Sequence, residues 1–132
     1  KGAPETFDVK GFTELIKNLG YKKSLRAPLF DRSSDKVVKN ARKIPAEQEY
    51  IIAEGNYLLL NKDYWRDLYN YWDYKVFISV DKNVLKSRLI ERWLSENHTY
   101  SEAEARVLKN DLVNANIVNS NRLNATVEFQ TG

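Results

Sequence analysis

The residues of this chain whose type and spacing could do chemistry are few. Glu54 directly follows the apolar run Tyr50-Ile51-Ile52-Ala53, and Gly55 behind it lets the backbone turn sharply. In open parallel α/β sheets, ligands bind beyond the carboxyl ends of the strands. A carboxylate there could bind Mg²⁺, directly or through water, or hold a substrate hydroxyl. It could equally be a strand-end glutamate that hydrogen-bonds a loop. Arg88 and Arg92 stand four apart, so on a helix they share a face. Two guanidiniums at that spacing repel slightly unless an anion sits between them, and triphosphate oxygens accept their paired N–H groups. A solvated face paired with Glu91 fits the same spacing.

Four further groups have a functional and a plain alternative. Asp8 is placed to cap a helix or to contact a substrate hydroxyl at that helix end. Asp31 and Arg32 fall on a loop, where binding residues concentrate, yet turn chemistry and a surface ion pair also account for them. Asn110, Asn114, Asn121 and Arg122 form a polar set that could cap a helix or line a nucleotide pocket. The aromatic run Tyr64-Trp65, Tyr69, Tyr71-Trp72 fits packing better than base stacking. His98, the single histidine, has no partner in sequence and reads as exposed and non-catalytic.

Positioning these residues takes alternating strands and helices. Val9, Phe12, Leu15, Ile16 and Leu19 recur at helical spacing behind Asp8, and Gly20 is placed to end that helix. Pro28 and the Ser/Asp cluster at 31–35 predict an extended piece and a turn, with a short strand near Arg42 to Ile44. Tyr50 to Ala53 reads as a strand buried on both faces. Asp63 to Trp72 predicts a short aromatic helix, and Lys75 to Val80 a clear strand. Asp81 caps a helix running to about Glu96, with Leu85, Leu89 and Trp93 as its apolar stripe. Ser101 and Glu104 fit a capping box for a helix to about Asn119. Thr126 to Phe129 predicts a last strand. The alternation argues for an α/β fold with a mainly parallel sheet and flanking helices.

The totals set outer bounds. The chain has 132 residues, 42% of them apolar, enough for a real core. A net charge of +3 suits anionic ligands but lacks the dense basic cluster that nucleic acid requires. With no Cys, disulfides and thiol chemistry are excluded, which fits a reducing cytoplasm. No apolar run approaches the roughly 18–20 residues that span a bilayer. The absence of Met predicts that a chain starting at Lys1 is trimmed or partly covered. No G-x-x-x-x-G-K-[ST] occurs, so the backbone cradle for ATP phosphates is not in this sequence.

The ordered set KGAPETFDVKGF, PLFDRSSD, IIAEGNYLLL with a following W-R-D-L, RLIERWL and NDLVNANIVNSNR resembles the uridine kinase, pantothenate kinase and phosphoribulokinase group of P-loop kinases. It is most similar to a bacterial branch of uncharacterised or sugar-transport-associated kinases. The resemblance spans Lys1 to about Val127. It implies a P-loop NTPase-like fold and Mg²⁺-dependent transfer of the ATP γ-phosphate to a hydroxyl of a nucleoside, pantothenate-like or sugar substrate. Asp8, Asp31, Arg32 and Glu54 would then border the acceptor, with Glu54 also a candidate Mg²⁺ ligand. Arg88 and Arg92 would be lid residues on ATP phosphates, and Asn121-Arg122 would approach the adenine.

In such kinases the P-loop and the carboxylate base precede the K-G-A-P motif. The resemblance therefore implies that residues 1–132 are the substrate-side and lid portion of one kinase domain, inactive alone, with its first strand, its P-loop and its base upstream of Lys1. The expected partners are a small metabolite and ATP, not nucleic acid or membrane. Exposed strand edges left by a missing central strand predict a homo-oligomer, a rearranged sheet or a complementary N-terminal segment. A metabolite- or protein-binding module derived from such a kinase is the alternative.

Overall fold

The computed structural model describes residues 2–19, 21 and 24–132. It divides into two units, Asp8–Glu54 and Lys1–Phe7 with Gly55–Gly132. Each is an assembly of short elements held by local rules.

In the first unit, α1 (Val9–Leu19) begins as the spacing predicts. Asp8 accepts the Gly11 N–H at 2.9 Å, satisfying one orphan donor of the first turn. Val9, Thr13 and Ile16 form its buried stripe. Gly20, expected to end this helix, lies outside the described residues. β1 (Leu25–Asp31) and β2 (Lys36–Ile44) pair antiparallel. Their register slips between Ala27 and Leu29, around Pro28, which has no N–H to give the ladder. Asn40 adopts φ 53° on the opposing strand, and its carbonyl accepts Arg26 Nη1 at 3.1 Å. The Ser/Asp turn forms as expected and joins the two strands, so the strand foreseen near Arg42 to Ile44 is the end of a nine-residue strand.

Tyr50 to Ala53 is not a buried strand. Tyr50 is 81% and Ile52 93% exposed, and the segment pairs with no strand among the described residues. A four-residue apolar run has no periodicity of its own, and an extended segment becomes a strand only where a neighbour meets its N–H and C=O groups.

The second unit opens with a 3₁₀ turn, Pro4–Thr6, and a packed aromatic group. Phe7, Tyr57 and Trp65 meet edge-on or tilted, with centroids 5.4 to 6.0 Å apart. Tyr57 is 2% exposed and donates its hydroxyl to the Gly2 carbonyl at 2.6 Å. The aromatic segment forms a 3₁₀ helix, Arg66–Tyr71, whose Leu68 is fully buried. Trp72 Nε1 reaches the Leu58 carbonyl at 3.2 Å, and Lys75 lies over the Tyr69 ring at 4.5 Å. Packing thus accounts for much of the aromatic run, as its composition suggested.

β3 (Val76–Val80) pairs parallel with β4 (Val127–Thr131). The fold is therefore α/β with one parallel and one antiparallel pair, where a mainly parallel sheet was expected. Between β3 and β4 run α2 (Lys82–Ser95), α3 (Tyr100–Arg106), a π-turn (Val107–Asp111) and α4 (Leu112–Asn121). Asp81 caps α2 through the N–H groups of Asn83 and Val84. The capping box of α3 starts earlier than expected: Thr99 and Glu102 close it, not Ser101 and Glu104. The segment offers T-x-x-E and S-x-x-E two residues apart. The second frame is not used: Ser101 lies inside the helix, and Glu104 pairs instead with Lys86 at 2.9 Å. Ile90, Ala103, Val107 and Leu112 make the core of this region, with Leu85, Leu89 and Trp93 packed against it. No helix among the described residues is long and apolar enough to cross a membrane.

Candidate functional site

The expected acceptor-side residues belong to the Asp8–Glu54 unit. One Asp8 oxygen is committed to the Gly11 N–H. A Cβ at position 11 would collide with the same carboxylate, so a glycine there leaves Asp8 its place. Asp31 is tied into the β1–β2 turn: it accepts the Ser33 N–H at 3.0 Å, the Ser33 hydroxyl at 2.7 Å and the Ser34 hydroxyl at 2.6 Å. These bonds, the Ser34 hydroxyl first, hold its carboxyl below the ordinary 3.8. Arg32 is exposed on that turn and Glu54 is exposed after the unpaired Tyr50 to Ala53 segment. Glu54 therefore does not follow a paired strand. Among the described residues no group of three or more His, Asp or Glu side chains could hold a metal.

The expected nucleotide-side residues lie in the other unit, and they do not converge on one point. Arg88 Nη2 donates to the Gly132 carbonyl at 3.0 Å. Asn121 donates its amide to the Ile117 carbonyl at 2.9 Å, and its own carbonyl accepts the Asn61 N–H at 2.7 Å. Arg122 pairs with Glu128 at 2.8 Å and lies 4.1 Å from the Phe77 ring centroid. Arg122 also bridges Leu60 through its backbone. These partners give Asn121 and Arg122 a structural task, closing the chain after α4.

Arg92 differs. With Gly2, Trp93, Arg106, Asn110 and Asp111 it lines an open cavity of about 500 Å³. Its guanidinium stands 5.1 Å from the Trp93 ring centroid, and that of Arg106 stands 4.9 Å from the same centroid. The indole N–H is donated to Asp111 Oδ2 at 2.7 Å. Asp111 Oδ1 accepts from Asn110 Nδ2 at 3.2 Å, and Asn110 Oδ1 accepts from Asn114 Nδ2 at 3.3 Å. The π-turn places Asn110 and Asp111 on this wall: the Leu112 N–H reaches back five residues to the Val107 carbonyl. One residue fewer in that turn would rotate α3 by about 100° against α4. His98 is half-buried, not exposed as expected, because its ring meets Trp93 edge-on at 5.1 Å. Its Nδ1 is buried with no hydrogen-bond partner among the described residues.

Sequence reasoning found Arg92 and Asn110 but not Trp93, Arg106, Asp111 and Gly2 as cavity residues. Trp93 read as core stripe, and Arg106 stands thirteen positions beyond it with no motif to join them.

No family model matches the chain. Individual proteins do. The uncharacterized protein YggC of Escherichia coli is 35% identical over 98% of this chain, which spans 54% of that protein. The ATP-dependent kinase-like protein notR' of Aspergillus versicolor is 32% identical over 93% of this chain and 76% of its own length. Among solved structures, a candidate fructose transport system kinase from a Silicibacter species superposes with a TM-score of 0.92 at 40% identity, over 98% of this chain and 63% of that one. YFH7 of Saccharomyces cerevisiae, described as a P-loop containing kinase with a circular permutation, matches at a TM-score of 0.82 and 20% identity, over 99% of this chain and 50% of that one.

This chain belongs to the family of ATP-dependent kinase-like proteins. The chain spans about half the length of the curated relatives it matches first, 54% and 57%.

Proposed function

We propose that this chain supplies the acceptor side and the lid arginines of a cytoplasmic, ATP-dependent small-metabolite kinase. The acceptor is the hydroxyl of a nucleoside, pantothenate-like or sugar substrate. The observation that carries this reading is Arg92: it faces the cavity beside Trp93, and its ion pair with Glu96 is a loose 3.8 Å, so its guanidinium can turn to an anion.

In the reaction, a bond forms between the acceptor oxygen and the γ-phosphorus as the bond from that phosphorus to the β,γ-bridging oxygen breaks. The hydroxyl proton leaves to a base that no residue of this chain is assigned to supply. Charge collects on the phosphoryl oxygens and the leaving ADP, and Arg92, with Arg88 one turn away, would neutralise it. Mg²⁺ takes one or two carboxylates together with phosphate oxygens, and Glu54 is a single exposed carboxylate of that type. Asp8, Asp31 and Arg32 would orient the acceptor hydroxyls, and Asn121-Arg122 would border the adenine.

The gene product that contains this chain, incubated with ATP, Mg²⁺ and a panel of nucleosides, pantothenate and sugars, should phosphorylate at least one member. No turnover across the panel would count against the kinase reading. A second reading is a non-catalytic metabolite- or protein-binding module. It requires metabolite or protein binding without turnover, which calorimetry on the same protein separates from catalysis.

A further inference from the structure

We propose that the open edge of β2 is a docking site for an extended acidic segment of another protein, which adds to the β1–β2 ribbon as a third strand. The inference stands apart from the kinase reading. β2 carries Lys36, Lys39, Arg42 and Lys43 among its nine residues and no carboxylate, and every residue of it but Ile44 is exposed. Lys43 stands directly opposite Arg26, a like-charge pairing that costs stability unless an anion joins it.

The chain's own carboxylates leave these cations uncompensated. Asp31 stands opposite Lys36 but accepts from Ser33 and Ser34 instead. Glu47 and Glu49 follow β2 in sequence, yet no β2 cation meets a carboxylate at ion-pair distance among the described residues. The backbone is open as well. Among the described residues this sheet is β1 and β2 alone, so β2 gives one edge to β1 and presents the N–H and C=O groups of the other. A two-stranded ribbon is marginal in water, and a third strand stabilises it. β1 offers the poorer edge, because Pro28 has no N–H to donate and α1 packs beside that strand.

The arrangement of charge selects the occupant. Successive residues of a strand point to opposite faces, so Arg42 and Lys43 project on the two sides of the ribbon. A strand added alongside meets both. A flat anionic membrane reaches one face at a time, and Asp31 and Asp35 at the ribbon's tip oppose entry into it. A second copy of this chain would set the same four cations against each other, and the irregularity at Asn40, with φ 53°, further blunts self-pairing. An acidic strand turns that repulsion into attraction: its main-chain hydrogen bonds give affinity and its carboxylates give choice.

Fluorescence anisotropy with the full chain and a labelled peptide of alternating Thr and Glu tests this. The peptide should bind, more weakly as salt rises. A Thr-Gln peptide should bind less tightly, and so should the acidic peptide with alternate amides N-methylated, which keeps the charge but loses ladder donors. Arg42→Gln combined with Lys43→Gln should weaken binding about fivefold or more. Lys62→Gln combined with Lys109→Gln, an equal loss of charge outside the ribbon, should leave it unchanged. Arg42→Glu combined with Lys43→Glu should reverse the choice toward a Thr-Lys peptide, a gain that a merely misfolded variant would not show. Circular dichroism checks that each variant keeps its fold. The inference is overturned if the acidic peptide does not bind, if its N-methylated form binds as tightly, or if the Lys62 and Lys109 changes cost as much as those at Arg42 and Lys43. Binding that depends on Arg42 and Lys43 but is seen only with phosphatidylserine vesicles or duplex DNA would overturn it too.

Discussion

Tyr57 shows how one side chain ties sequence-distant segments together. Its hydroxyl reaches the Gly2 carbonyl across 55 positions, within a ring cluster that excludes water. Burial first, and then the carboxylates of Glu5 and Asp111, push its ionisation above the ordinary 10.0. Tyr57→Phe keeps the packing but leaves a carbonyl short of its donor, which costs about 1–2 kcal/mol. Urea unfolding should show that loss, and an unchanged midpoint would mean that the bond contributes nothing net. Asp31 makes a second case. Its three hydroxyl and N–H donors favour the charged form, so its carboxyl should titrate below 3.8 by NMR. The β1–β2 turn should loosen as pH falls through that lower value, and a titration at or above 3.8 would contradict the turn geometry.

Helix α3 tests the element scale, because two capping frames compete for it in the sequence. The structure chooses Thr99 and Glu102. Thr99→Ala should then cost about 1 kcal/mol, while Ser101→Ala should cost little; the reverse order in thermal unfolding would restore the other frame. The Thr99 N–H first, and then its hydroxyl, hold the Glu102 carboxyl below 4.5. That contribution is complete above 4.5 and is lost as pH falls through the lower folded value. Legibility at this scale tracks the strength of the local pattern. Caps at Asp8 and Asp81 and the strand at Lys75 to Val80 are strong local signals, and the elements form there. Tyr50 to Ala53 fails because strand formation depends on a neighbour, which no local pattern encodes. The Trp93 cavity was half visible for a similar reason: Arg92 stands in a motif, but Arg106 and Asp111 reach the indole only through the packing of α2 against α3 and the π-turn.

At the scale of the whole molecule, the chain belongs to the ATP-dependent kinase-like family and divides into two units, each carrying part of the proposed chemistry. Asp8, Asp31, Arg32 and Glu54 lie in one unit, Arg88, Arg92, Asn121 and Arg122 in the other. Of the second set, Arg92 lines the cavity, and the proposed transfer would draw on its charge. The most direct test is the kinetics of the gene product containing this chain, with ATP, Mg²⁺ and its best acceptor, compared with the Arg92→Ala variant. The account predicts ATP-dependent phosphorylation with kcat/KM at least tenfold lower in the variant, a loss of about 1.4 kcal/mol or more in transition-state stabilisation. Equal kcat/KM in the two proteins, or no phosphorylation by either, would contradict it.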